Sequence, residues 1–210
     1  MFSKQKDMSA IDTAPRIFPG IAIKMPNGGM TDEQFYQFCV LNPELRIERT
    51  ADKIIEIMPP TNSDTGNRNF ELTGEIAIWN RKYKLGKGFD SSTGFKLPNG
   101  AERSPDVAWI ANERWKEIPE SQKKRFAPIA PDFVAEIRTG DQGLTYLKDK
   151  MEEYIECGCR LAWLVDPKNR KTWVYSENGD IQTIPFDTPL SGGEVMPGLE
   201  IRLADIFDME

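Results

Sequence analysis

Apolar residues recur along this chain with two different periods, and the changes of period mark its elements. Over residues 70–83, Leu72, Ile76, Trp79 and Tyr83 return at helical spacing while Glu71, Glu75 and Lys82 fall beside or opposite them, which predicts an amphipathic helix. A second stripe, Leu144, Leu147, Met151, Tyr154 and Ile155, predicts a helix over 144–157 with Gly158 as its stop. A shorter helix follows Thr31, an N-cap residue with Gln34 three positions on to complete a capping box. Phe35, Phe38 and Cys39 give that helix its apolar face, and Asn42-Pro43 ends it.

Strand signals fill the gaps. Residues 46–57 alternate as two short strands around a turn near Ala51-Asp52. After Gly86 and Gly88 stop the long helix, 89–97 and 106–110 form a hairpin-like pair joined through Pro98-Asn99-Gly100. Residues 133–138 make a further strand, 161–165 are almost continuously apolar and hence central, and 171–176 alternate before Asn178-Gly179 as an edge. The run 61–69 after Pro59-Pro60 is expected as a loop, 112–124 as a charged connection with a helical turn, and the tail from 185 as extended up to a turn at 203–207. Residues 1–30, with Pro15, Pro19, Pro26 and Gly28-Gly29, read as an irregular arm, and 31–210 as a single domain, since 210 residues suit one large core. From residue 70 to 165 the order is αβββαβ. A helix crossing between 133–138 and 161–165 suits a parallel pair, and the preceding strands supply antiparallel neighbours, so the fold class is α/β with a mixed sheet.

Composition narrows the chemistry. The chain has no histidine, which removes histidine bases, Ser-His-Asp triads and most zinc or iron sites; any reaction must use carboxylates, lysine or arginine. Three cysteines, with Cys157 and Cys159 close together, argue against a disulfide framework. No apolar run approaches a membrane span and no secretory signal is visible, so a cytoplasmic protein is expected. A net charge of −6 disfavours a non-specific nucleic-acid coat but leaves room for a metal-dependent nuclease, where bound cations offset clustered acids.

The informative acids are Asp106, behind Pro105 at a strand start, and Glu136, within an otherwise apolar strand. Alternation puts Glu136 and Arg138 on one face. Two carboxylates sharing a partly buried cleft repel one another, and a hard cation with oxygen ligands explains their coexistence. Lys150, one helical turn from Leu147 and Tyr154, lies at the edge of the buried stripe, from where its ammonium could orient or help deprotonate water and stabilise a phosphorane. Plainer readings remain for each: Asp106 as a turn cap, Glu136 in an ion pair with Arg138 or Lys150, Lys150 as a solvated charge with Lys148 as its rival, and Glu48 and Glu71 as surface charges. Trp79, Trp109 and Trp163 sit at core spacings and are assigned to packing.

Ser92-Thr93-Gly94-Phe95-Lys96-Leu97-Pro98-Asn99-Gly100 followed by Arg103-Ser104-Pro105-Asp106-Val107-Ala108-Trp109, then 131–138, Lys150-Met151-Glu152-Glu153-Tyr154 and 161–167, resemble the successive blocks of the Uma-two family of restriction endonucleases, over about residues 45–207. The resemblance implies the restriction-endonuclease-like fold of the PD-(D/E)XK superfamily, with a mixed sheet flanked by helices. It implies DNA as substrate, Mg²⁺ or Mn²⁺ as cofactor and a homodimer. It further implies Asp106 and Glu136 as metal ligands, with Ile137, Glu71 and Glu48 as further metal contacts. The superfamily usually has lysine two residues after the glutamate; here Arg138 stands there, a poor base because it stays protonated. Lys150 is then expected to supply the amine, and Arg138 to clamp phosphate or pair with a carboxylate. The alternative is a nuclease-fold protein without catalysis, acting as a binding or assembly module.

Overall fold

The computed structural model describes residues 20–26, 28–140 and 143–208, so most of the expected arm lies outside the described residues. Two sheets carry the structure. The arm's described end is not irregular throughout: β1 (Ile21–Ile23) pairs antiparallel with β3 (Ile55–Met58), which pairs in turn with β2 (Arg46–Arg49). Between β1 and β2 runs α1 (Asp32–Leu41), capped by Thr31 and Gln34 through the reciprocal bonds of a capping box.

The long helix α2 (Ser63–Tyr83) starts seven residues before the apolar stripe announces it. The side chain of Asn62 accepts from the Thr65 amide, and this cap, with Asp64 in the first turn, lets the polar run 63–69 be helical although only Thr65 in it is buried. The helix ends at Lys84, which takes up a left-handed φ of 56°. Gly86 is therefore not the stop but the first residue of β4 (Gly86–Asp90). A Cβ there would come within 2.2 Å of the Ile110 carbonyl oxygen, so only glycine permits this strand approach.

The expected 89–97/106–110 hairpin is replaced by two separate pairings. After β4 the chain turns at Ser91–Gly94, where the Asp90 carboxylate accepts from the Ser92 amide and hydroxyl, and then changes sheet. β5 (Phe95–Lys96) and β6 (Glu102–Arg103), joined through the Pro98-Asn99-Gly100 turn, complete the small sheet in the order β1-β3-β2-β6-β5. β7 (Val107–Ala111) pairs with β4 instead. Two short helices follow, α3 (Asn112–Glu117) and α4 (Glu120–Lys123).

β8 (Phe133–Ile137), α5 (Leu144–Glu156) and β9 (Leu161–Asp166) form the crossover unit, and β8 and β9 are parallel as expected. β10 (Lys171–Ser176) is not an edge: β11 (Ile181–Pro185) covers it, giving the large sheet the order β11-β10-β9-β8-β7-β4. The tail is less extended than its sequence suggests, with a hairpin of β12 (Leu190–Ser191) and β13 (Glu200–Ile201) before α6 (Leu203–Phe207).

Side-chain alternation along β8 and β9 divides the core. Phe133, Ala135, Ile137, Trp163 and Val165 pack under α2 and the tail with Trp79 and Trp109, while Val134, Ala162 and Leu164 pack under α5 with Leu147, Met151 and Tyr154. Glu136 falls on the α5 face, where the small sheet also arrives.

Candidate active site at the junction of the two sheets

Asp106, just ahead of β7, and Glu136, on neighbouring β8, line one cleft of about 350 Å³ together with Lys150 of α5. All three are almost completely buried. The cleft opens between the beginnings of α2 and α5, where 59–62 and 139–140 form its rim.

Each carboxylate is held by a different kind of donor. Asp106 Oδ2 accepts from the Ile137 amide at 2.8 Å; Oδ1 accepts from the Arg46 guanidinium at 3.1 Å and from Asn69 Nδ2 at 3.3 Å. The Ile137 side chain itself is buried in the core on the α2 side. Glu136 Oε1 receives both Lys150 Nζ, at 2.8 Å, and the Tyr154 hydroxyl, at 3.2 Å. Lys150 donates in addition to Glu48 Oε1 at 3.0 Å. Glu48 is fully buried, and it also accepts from the Ser104 amide and from Arg103. Its β3 partner across the sheet is another acid, Glu56, and the same Arg103 nitrogen bridges the two. Arg103 reaches Glu153 as well.

Five carboxylates, Glu48, Glu56, Asp106, Glu136 and Glu153, thus share three cations, Arg46, Arg103 and Lys150. The shortfall falls on Glu136. Burial chiefly raises its pKa, Lys150 opposes the shift, Asp106 and Glu48 reinforce it, and the group is pushed up to about 7. Burial acts on Glu48 in the same direction, but Lys150, Arg103 and Arg46 outweigh it and hold the carboxyl at about 2. Burial works against the Lys150 charge, yet Glu136 and Glu48 overcome it and raise the lysine pKa, so an ammonium stands here at neutral pH.

Among the described residues no group of three or more acids and cysteines is arranged to hold a metal ion. What the cleft offers is two carboxylates from adjacent strands, and that set fits a small hard cation such as Mg²⁺, which usually takes one or two protein carboxylates and completes its shell with water and substrate oxygens. The charge shortfall and the raised Glu136 both point the same way: the cluster is two positive charges short of balance.

Other expected residues lie elsewhere. Arg138 emerges beyond the end of β8 and pairs with Asp166 at 2.8 Å, lining an adjoining cavity with Arg68 and Lys168 rather than the cleft. Glu71 is half-buried on α2 and does not line the cleft; the α2 side chain that reaches Asp106 is Asn69, two residues earlier. Glu48 is no surface charge and stands behind Lys150. Lys148 lies over the Trp173 ring, away from the acids. Trp79, Trp109 and Trp163 are buried. Arg46 and Asn69 escape a reading of the sequence because neither sits in an apolar pattern that would mark it as inward-facing.

This arrangement can be set beside known proteins. A family model described as "Uma2: Putative restriction endonuclease" matches residues 32–204, which include every side chain of the cleft. The chain belongs to this family. A crystal structure titled as a "putative nuclease belonging to DUF820" from Anabaena variabilis superposes with a TM-score of 0.67 over 79% of this chain and 91% of that one. At 21% identity that likeness bears on the fold, which the Uma2 chain shares with it as a mixed α+β arrangement of sheets flanked by helices. No curated protein matches the chain. None of the helices among the described residues is long and apolar enough to cross a membrane.

Proposed function

We propose that this chain is a Mg²⁺- or Mn²⁺-dependent endonuclease that hydrolyses DNA phosphodiester bonds in the Asp106–Glu136–Lys150 cleft. The observation that carries the proposal is the pairing of two buried carboxylates from adjacent strands with an ammonium from the crossover helix, in a cluster short of positive charge. Asp106 and Glu136 are the metal ligands, and the bound cation would supply charge neutralisation at the phosphate and acidify a water.

The remaining work belongs to the chain's own side chains. Lys150 has three N–H donors, two of them given to Glu48 and Glu136, which leaves the third for water or a phosphate oxygen. As an ammonium it orients the nucleophile and steadies negative charge on the phosphorane, and does not take up a proton. Glu48 acts through Lys150, and Arg103 acts through Glu48, as positioning residues. The Ile137 amide and Asn69 fix the rotamer of Asp106. Arg138, tied to Asp166 beside the cleft, is assigned to phosphate binding away from the scissile bond. The homodimer and the single domain over 31–210 belong to the same proposal.

Cleavage of a panel of plasmid and linear DNAs by the purified protein, with Mg²⁺, Mn²⁺ or a chelator, tests it. The expected result is metal-dependent cleavage lost in Asp106→Ala; activity that survives the substitution, or none with either metal, overturns it. One observation favours the non-catalytic alternative, namely that Arg46 and Lys150 already engage the carboxylates a metal would need. Calorimetry separates the two, because a binding module would take up no Mn²⁺ that Glu136→Gln abolishes.

A further inference from the structure

Arg46 lines two cavities at once. On one side is the acid cleft; on the other is a cavity of about 500 Å³ walled by Tyr36, Leu45, Phe126, Ser91 and Ser92. One guanidinium nitrogen is engaged, donating to the Ser104 carbonyl at 2.7 Å and to Asp106 at 3.1 Å. Nε is buried and, among the described residues, has no acceptor. A buried donor left unmade is costly, so a group that brings an oxygen to this position would recover the loss. Phosphate is the acceptor that a guanidinium next to a phosphodiester-cleaving centre suits best.

The second cavity has different chemistry. Tyr36 and Phe126 meet edge to face with centroids 5.3 Å apart, and Gly94 lies so close to the Phe126 ring that a Cβ there would stand 2.6 Å from it. Aromatic and aliphatic walls with serine hydroxyls at one side match a flat heterocycle with polar edges. In a paired duplex each base is stacked between its neighbours and cannot enter such a cavity; an unpaired or opened base can.

We propose that the cavity behind Arg46 receives an unstacked nucleobase next to the scissile phosphate, with Arg46 holding the phosphate between them. The preferred substrate is then single-stranded or locally opened DNA. This rests on the nuclease proposal above and adds a substrate class to it. On the opposite side of the cleft, Arg68, Arg138 and Lys168 line the adjoining cavity, in position to follow the backbone of the same strand.

Fluorescence anisotropy with the full chain in chelator, where no cutting occurs, reads the preference directly. The probes are a labelled single strand, its fully paired duplex and the same duplex with a central mismatch. The single strand and the mismatch are expected to bind at least tenfold tighter than the paired duplex. Leu45→Trp and Val40→Trp, at two exposed positions on the wall, fill the cavity and are expected to erase that preference while leaving duplex binding unchanged; Arg46→Met is expected to weaken all three probes. Equal binding of all three by the parent overturns the inference, as does an undiminished preference in both tryptophan variants, with circular dichroism confirming that they are folded. If no probe binds, or if all three bind alike, the base cavity falls, and the cleavage panel with Mg²⁺ or Mn²⁺ decides the nuclease proposal separately.

Discussion

Replacing Glu136 with glutamine is expected to stabilise the metal-free protein at pH 8 while ending its activity. Burial chiefly, helped by Asp106 and Glu48, lifts this carboxyl from the usual 4.5 to about 7, so the native state holds the proton more tightly than the unfolded chain does. Its contribution to stability is therefore fully present below about 4.5 and is lost as pH rises through about 7. At roughly 1.4 kcal/mol per pH unit the loss comes to about 3 kcal/mol. The chain is well suited to the measurement. It has no histidine, Glu48 titrates far below the window, and burial pushes Cys39 and Cys159 above it, to about 11 and 12. Urea unfolding with a chelator at pH 5 and pH 8 should show the parent losing about 2–3 kcal/mol between the two, since part of the effect is already gone at pH 5, and Glu136→Gln, which mimics the protonated acid, losing little. Adding Mn²⁺ at pH 8 should restore the parent and not the variant. A variant as pH-sensitive as the parent, or less stable than it at pH 8, would refute the assignment of the charge shortfall to Glu136.

Mn²⁺ binding below pH 7 should release close to one proton, since Glu136 must ionise to ligate; calorimetry in two buffers of different ionisation enthalpy counts it, and a release of zero contradicts the assignment. Glu48→Gln takes from Lys150 one of its two carboxylate partners and from Arg103 one of its three, and breaking these buried pairs is expected to cost about 3 kcal/mol in chemical denaturation at pH 7. The cost should shrink on acidification, because the parent loses the same ion pairs as pH falls from about 4.5 toward 2. Lys150→Met should lower cleavage by about 100-fold or more without weakening Mn²⁺ binding, and a loss of both would make the lysine a structural support of the ligands. Gly86→Ala, whose Cβ would collide with the Ile110 carbonyl and the Trp109 ring, should cost about 1–3 kcal/mol in thermal unfolding.

Much of this is legible in the amino-acid sequence alone. The stripes of α2 and α5 and the unbroken apolar run of β9 gave the crossover unit, because a buried face imposes a period wherever it is continuous. Asp106, Glu136 and Lys150 stood out as charges inside or beside such faces, and the structure brings those three to one cleft. The errors share a cause. The first two turns of α2 are held by a cap and line a cleft, so they carry no stripe, and β4 and β5 look like one strand because a change of sheet leaves no mark on a two-residue period. Glu48 reads in sequence as a surface charge because nothing local distinguishes a carboxylate paired with Lys150, 102 residues away, from one facing water. Arg138, two residues after Glu136, takes the carboxylate pairing expected as one of its roles, with Asp166 beyond the end of its strand.

The Glu48–Lys150 bond couples the small sheet to the crossover helix of the large one across those 102 residues. The large sheet alone already sets Asp106 beside Glu136 and Lys150 against Glu136, so what the small sheet adds is Glu48 on the ammonium and Arg46 on Asp106. A change confined to the small sheet would therefore be felt in the cleft without touching either strand of the acid pair.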